Sequence, residues 1–214
     1  MSPHGFPNLV VVQHPLVRHK LTRLRDRQTG TRDFKALVHE LSMLLAYEAT
    51  KDLPLEPVDV ETPLERTTGF HLAGKKLALV PILRAGLGMV EGITHLLPHA
   101  RVGHIGMYRN EETLEPVDYY FKIPGSEENR LFLVLDPMLA TGGSAVQAMR
   151  ALKDAGATRI RLLCLVAAPP GVRRMLETHP DVPIYAAALD RDLDARGYIR
   201  PGLGDAGDRL FGTQ

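Results

Sequence analysis

A single cysteine among 214 residues excludes a disulfide within the chain, and such low cysteine usage fits a reducing compartment. Cys164 lies inside the apolar run Ile160 to Val166, where a small buried hydrophobe is expected rather than a nucleophile. No apolar run is long enough to span a bilayer. The segment Met1-Ser2-Pro3-His4-Gly5-Phe6-Pro7 has no basic stretch leading into an apolar one, so no signal peptide is expected. Charge of one sign is missing too: 26 Lys and Arg face 25 Asp and Glu, a net of +1. That balance gives no electrostatic footprint for duplex nucleic acid or an anionic membrane, and it leaves room for a local basic pocket. Nine histidines form no Cys/His ligand cluster. His95 and His99 are four apart, but Pro98 stands between them and disrupts a helical metal pair; His39-Glu40 has no second His to complete a zincin motif. Repeats, low-complexity tracts and linkers are absent as well. The expectation is a cytoplasmic chain without membrane or nucleic-acid partners. Its 44% hydrophobic content suffices for one domain over 1–214 with a full core.

What is present alternates. Leu16 to Arg27 and Arg32 to Lys51 read as amphipathic helices. In the second, Phe34, Leu37, Val38, Leu41, Leu44 and Leu45 recur at helical spacing behind Thr31 as N-cap. Pro54 to Pro63 reads as extended. Strand-like Leu77 to Val80 precedes helix-like Leu87 to Leu97, and Leu131 to Leu135 precedes a helix to Lys153. Ile160 to Val166 precedes a helical stretch around Val172 to Glu177, and Ile184 to Leu189 follows. This rhythm predicts an α/β fold, a parallel β-sheet flanked by helices on both faces. Met107 to Pro124 breaks it: charged and carrying Tyr108, Tyr119, Tyr120 and Phe121, it reads as a long β-hairpin arm.

In an open α/β sheet, ligands sit beyond the carboxyl ends of the strands. One such end reads Asp136-Pro137-Met138-Leu139-Ala140-Thr141-Gly142-Gly143-Ser144. A strand, a Gly/Thr/Ser turn and a helix N-terminus make an anion site, with orphan N–H groups and the helix dipole both favouring negative charge. The glycines let the backbone curl around a phosphate, the hydroxyls of Thr141 and Ser144 can donate to it, and Asp136 can accept from sugar hydroxyls. A tight connection with capping residues would explain one Gly and one hydroxyl, but not this whole set. No Lys follows the glycines, which excludes the nucleoside-triphosphate loop. The loop suits a ribose 5-phosphate. Arg84, in Leu83-Arg84-Ala85-Gly86, ends another strand with a turn able to wrap a diphosphate. In the C-terminal segment Gly202, Gly204 and Gly207 formally satisfy a dinucleotide fingerprint, but too little chain follows to complete a strand–helix–strand unit. Glycines there suit a loop that presents bare N–H and C=O groups to a flat base.

Asp136 to Ser144 resembles the ribose-phosphate loop of type I phosphoribosyltransferases, which bind phosphoribosyl pyrophosphate (PRPP). Most members carry a second acid where Pro137 stands here, and Asp-Pro-Met-x-Ala-Thr-Gly-Gly-Ser resembles the uracil phosphoribosyltransferases in particular. Pro81 to Gly86 is similar to that family's pyrophosphate loop. Met107 to Thr113 and Tyr119 to Pro124 are similar to its arm, and Gly197 to Thr213 to its uracil-binding loop. The resemblance implies a domain with an arm over 107–124 and a C-terminal base-binding hood over 190–214. It implies that Arg84, Arg109 and Asp136 are catalytic, and that these three bind PRPP together with Pro137, Met138, Leu139, Ala140, Thr141, Gly142, Gly143, Ser144 and Asp205. It gives uracil to Ile199, Gly204, Asp205 and Ala206. The implied reaction is uracil plus PRPP to UMP plus pyrophosphate. Mg²⁺ is expected as cofactor, held mainly by PRPP oxygens because Pro137 replaces the second acid. A homo-oligomer, dimer or tetramer, is implied, and in some members GTP is an activating effector. A purine or orotate phosphoribosyltransferase should carry the acidic pair missing here, and an RNA-binding pyrimidine regulator on the same fold should show a strongly basic face.

Overall fold

The computed structural model describes residues 5–74, 77–109, 116–125 and 130–213, and for 107–109 and 116–119 the backbone alone. The order begins with β1 (Leu9–Val11), α1 (Pro15–Arg25) and α2 (Thr31–Ala49), then a hairpin of β2 (Leu55–Glu61) and β3 (Arg66–Leu72). Next come β4 (Ala78–Leu83), α3 (Leu87–Leu96), β5 (Arg101–Val102), β6 (His104–Arg109) and β7 (Pro116–Lys122). After them stand β8 (Leu131–Leu135), β9 (Met138–Leu139), α4 (Gly143–Asp154), β10 (Arg159–Ala167), α5 (Pro169–Thr178) and β11 (Ile184–Leu189). The short strands β12 (Asp192–Leu193) and β13 (Ile199–Arg200) precede α6 (Ala206–Phe211).

The central sheet runs β1-β11-β10-β8-β4-β6-β7. Every neighbouring pair along it is parallel except β6 with β7. The expected arm is therefore the sheet's own edge hairpin, with Arg109 opposite Pro116. Strands buried on both faces read as apolar runs, and here the two faces separate by alternation. Leu131, Leu133 and Leu135 join one core with residues of α1, α2, α3 and α6. Phe132 and Val134 join the other, with α4 and α5. Cys164 is fully buried in that second core, and burial pushes its thiol well above the ordinary value, which makes it inert as expected.

Local chemistry sets the helix starts. At α1, Pro15 takes the first turn and the His14 ring accepts from Leu16 N at 3.1 Å. At α2 the expected cap moves by one residue. Thr31 is already helical and Gly30 takes the cap position without a side-chain bond. The extended stretch after α2 pairs with a strand that polarity had hidden: both β2 and β3 are exposed along nearly their whole length.

Beyond β11 the chain turns back over the carboxyl edge of the sheet, where its elements are only two to six residues long. Such pieces do not hold themselves together. Arg25, at the end of α1, supplies the anchor. Its two Nη atoms reach Asp190 Oδ2 at 2.7 Å and Oδ1 at 2.5 Å, and Nη1 also reaches the Gly202 carbonyl at 2.6 Å. Asp190 in turn accepts from Gly202 N at 2.8 Å. From the other side, Arg209 of α6 donates to the carbonyls of Leu24, Leu203 and Asp26 at 2.6–2.8 Å. Its guanidinium lies 4.3 Å from the centre of the Phe34 ring.

Removing one partner of a desolvated pair leaves the other unpaired, which costs several kcal/mol. Asp190→Ala is therefore expected to lower stability by about 3 kcal/mol, and Arg25→Lys, which keeps charge but loses the fork, by less. Urea denaturation with an unchanged slope checks this; a midpoint equal to wild type for Asp190→Ala would show that the anchor is dispensable.

Candidate active site

The carboxyl ends of β4, β8, β10 and β11 lie side by side along one sheet edge, where open α/β sheets bind ligands. Arg84 follows β4, Asp136 follows β8 and Asp190 follows β11. Glycines draw these loops together. A Cβ on Gly86 would collide with the carbonyls of Leu135 and Ile82, so only glycine lets the Arg84 turn settle against the strand that ends at Asp136. Arg84 itself is exposed, and its guanidinium makes no hydrogen bond or ion pair among the described residues.

The loop after Asp136 is braced from behind. Pro137 O accepts from Leu165 N and Val166 N at 3.0 and 3.1 Å, and Leu139 O accepts from Ala168 N at 2.9 Å. Pro137 and Leu139 are buried against the sheet, while Met138 and Ala140 line the open side. Gly142 has φ +79°, and a Cβ there would stand 2.9 Å from the Gly171 carbonyl. The sequence reading gave this glycine to a bound phosphate; the structure shows that the backbone of α5 already requires it. Gly143 and Ser144 open α4, so their N–H groups lie in a first turn that has no intrahelical acceptor. Thr141 and Ser144 are half-buried, and neither hydroxyl is engaged by another described residue.

A cleft of about 330 Å³ opens over this loop. Asp136, Met138, Ala140, Ile199, Gly204, Asp205 and Ala206 line it together, so two segments 59 positions apart at their nearest, Ala140 and Ile199, share one wall. The Asp136 carboxyl accepts one bond, from Met138 N at 3.4 Å, and burial pushes its pKa up to about 6. Asp205 caps α6 by accepting from Asp208 N at 2.9 Å. Gly204 has φ +81° and open space where a Cβ would be, apart from Arg209 Cδ at 3.7 Å. Gly202, also left-handed, packs on the Ile199 carbonyl instead. Of Gly202, Gly204 and Gly207, then, the first shapes the fold and the other two line the cleft. Arg109 ends β6; its side chain, and the arm's 110–115, lie outside the described residues.

Ala85 and Gly207 line the cleft without having been given a role, and so do three residues of one turn, Arg196, Gly197 and Tyr198, the last two inside the segment likened to the uracil-binding loop. Their signal was the Asp194-Ala195-Arg196-Gly197 turn. Asp194 accepts from Arg196 N and Tyr198 N, both at 2.9 Å, and Gly197 has φ +84°. A second cavity of about 770 Å³ lies at the opposite edge of the sheet, among Leu53, Phe70, Leu72, Leu97 and Leu131. It is larger but mostly apolar, and it is distant from every loop described above.

Comparisons with known proteins place the chain by sequence and by fold. A family model described as uracil phosphoribosyltransferase matches residues 11–213. A uracil phosphoribosyltransferase of Listeria innocua is 60% identical over 207 residues, 97% of this chain and 99% of that protein. One from Bacillus thuringiensis is 59% identical over 206 residues, 96% and 99% of the two chains. Among solved structures, the AQ2163 protein of Aquifex aeolicus superposes with a TM-score of 0.91 at 38% identity, covering 96% of this chain and 99% of its own. A hypoxanthine phosphoribosyltransferase of Staphylococcus aureus shares the fold alone, with a TM-score of 0.52 at 16% identity over 87% and 91% of the chains. By sequence along nearly its whole length, and by fold, this chain belongs to the uracil phosphoribosyltransferase family.

Proposed function

We propose that the cleft between Asp136 and the Ile199–Ala206 segment is where this chain converts uracil and PRPP to UMP and pyrophosphate. The observation that carries the reading is that shared wall: a phosphate-type loop and a glycine-rich base-type segment enclose one space. Bond breaking at ribose C1′ leaves positive charge on the sugar and negative charge on the departing pyrophosphate. The loop from Ala140 to Ser144 and the N-terminus of α4 hold the 5-phosphate. Asp136 accepts from the ribose hydroxyls, and its carboxylate faces the developing sugar cation. Arg84, exposed and unengaged by the described residues at the end of β4, receives the pyrophosphate. Arg109 assists from the arm. With C1′ fixed against a uracil nitrogen, positioning carries much of the rate.

Mg²⁺ suits this donor set only as part of the substrate complex. Among the described residues no three His, Cys, Asp or Glu side chains gather into a cage, and Mg²⁺ is commonly carried on phosphate oxygens. The loops that hold PRPP would hold it, and it would supply neutralising charge to the diphosphate. A homo-oligomer is supported by the β2–β3 hairpin, where Leu64 and Phe70 stand 96% and 66% exposed. GTP activation rests on family membership. The cytoplasm is supported by the lone buried Cys164, and no described helix is long and apolar enough to cross a membrane.

Formation of UMP from uracil and PRPP by the purified protein tests the reading; no turnover under Mg²⁺ would end it. Asp136→Asn is expected to lower kcat/KM about ten- to hundredfold, the worth of a charge-assisted bond. It should also abolish an acid limb that wild type shows below pH about 6. The same substitution should stabilise the empty protein. The folded pKa is raised above the ordinary 3.8, so the folded state holds its proton more tightly. That stabilisation is complete at low pH and is lost as pH rises toward the folded value. At pH 7 the ionised carboxylate costs about 1–3 kcal/mol, which Asn removes. Denaturation of both proteins at pH 7 and pH 4 checks the sign; a variant less stable than wild type at pH 7 would contradict it.

Base choice follows from the same cleft. The segment Ile199 to Ala206 offers few side-chain donors or acceptors and many backbone ones, so main-chain groups read the base. Uracil presents acceptor, donor and acceptor along O2, N3–H and O4, whereas cytosine inverts two of the three. A fixed backbone cannot turn its amide, and each mismatched buried group costs about 1–3 kcal/mol. Discrimination on the order of 10²–10⁴ in kcat/KM is expected for uracil over cytosine. Equal values on one preparation would show that the backbone does not read the base.

A further inference from the structure

The cleft poses a charge problem that the residues assigned so far leave open. Two of its lining side chains, Asp136 and Asp205, are carboxylates, yet PRPP brings several negative charges into it. Among the described lining residues a single side chain is cationic, Arg196. It sits on the turn between β12 and β13, and that turn is built rather than loose. Asp194 gathers the N–H groups of Arg196 and Tyr198, Gly197 N donates to Asp194 O at 2.9 Å, and Asp194 N donates to Tyr198 O at 2.8 Å. These bonds hold the Asp194 carboxyl below the usual carboxylate range, so it stays ionised as the turn's brace. The neighbouring Gly197 lies over the phosphate-type loop, since a Cβ there would touch Thr141 Cγ2 at 3.9 Å. The Arg196 guanidinium makes no hydrogen bond or ion pair among the described residues. An arginine on a fixed turn, beside a hydroxyl-bearing anion loop and with no hydrogen bond or ion pair among the described residues, is poised for a phosphate.

We infer that Arg196 closes the 5-phosphate site from above, as a positioning and affinity residue for PRPP and for the UMP product. The inference rests on the reading of the cleft as a PRPP and uracil site. Its neighbour Gly197 lies against Thr141, so the clamp it completes has a lower half of backbone and hydroxyl and an upper half that is a full charge. The ligand it recognises is the phosphate monoester shared by substrate and product, rather than the diphosphate or the base.

The test compares wild type, Arg196→Ala and Arg196→Lys. Turnover of the wild type with uracil and PRPP checks the underlying reading by itself. In Arg196→Ala, UMP affinity by calorimetry and KM for PRPP should both worsen roughly three- to thirtyfold, between a screened contact and a charge-assisted bond. Uridine, which lacks the phosphate, should bind the variant as it binds wild type. KM for uracil and kcat should move less than about twofold, because uniform binding is what is lost. Arg196→Lys should recover most of the loss, which a collapsed turn would not allow. Unchanged UMP affinity in Arg196→Ala would overturn the inference. So would a PRPP effect without a UMP effect, which points to the diphosphate, or an equal loss for UMP and uridine, which points to the base wall. An Arg196→Lys variant as weak as Arg196→Ala would overturn the role of charge.

Discussion

The fork between Arg25 and Asp190 is the constraint on which the site depends. Everything after β11 is too short to be stable alone, yet this stretch supplies most of the cleft's lining. Arg25 holds both oxygens of Asp190 and the Gly202 carbonyl at once, and thereby fixes where the turn of the base-type segment begins. Arg209 returns the arrangement in mirror form, from the tail to the carbonyls around the α1–α2 junction. Each guanidinium satisfies carbonyls that a helix end or loop leaves unpaired. A hydrophobic contact of similar area would bury the segment but would leave it free to slide. Planar, multidentate bonds set its register.

Glycine does for the front of the site what arginine does for the back. Gly86 meets Leu135, Gly171 meets the carbonyls of Leu139 and Ala140, and Gly142 meets Gly171. In each case one backbone lies where a neighbour's Cβ would be. The three loops therefore stand at backbone contact distance, and the phosphate-type turn is braced before any ligand arrives. Such preorganisation is where positional catalysis originates. It also explains why a loop so rich in glycine is well defined: close packing has removed the freedom that glycine supplies.

Much of this was legible in the chain itself, for identifiable reasons. Parallel strands covered on both faces must be apolar throughout, so β4, β8, β10 and β11 stand out as runs, and Asp136 announces a strand end because nothing else would place a carboxylate there. The expected helices recur within about two residues at most ends. What was missed shares the opposite property. β3 has no buried face and so no alternation to read. β12, β13 and α6 are too short for a period. The Arg25–Asp190 fork joins residues 165 apart, and no local pattern reports such a pairing. Gly142 was singled out for a bound phosphate, and the structure adds a demand from α5, because a positive φ reads the same in sequence whichever of the two requires it. Arg196 drew no reading from the sequence, because only the fold brings its turn into the lining of the cleft.

Asp136 shows how this fold accommodates the chemistry. Its carboxyl lines the cleft just after β8, where burial disfavours its charge and pushes its pKa up to about 6. Pro137 keeps a second acid from adding repulsion, and the single bond from Met138 N leaves most of its acceptor capacity unmet. In the proposed site the sugar hydroxyls of PRPP would be the donors that satisfy it. On that proposal the residue is least comfortable in the empty protein, and part of the substrate's binding energy would go into relieving a charge the fold does not stabilise alone. The rigid arginine and glycine supports make this tolerable. A loosely held loop would relax by turning Asp136 toward water, and the protein would gain stability at the expense of the site.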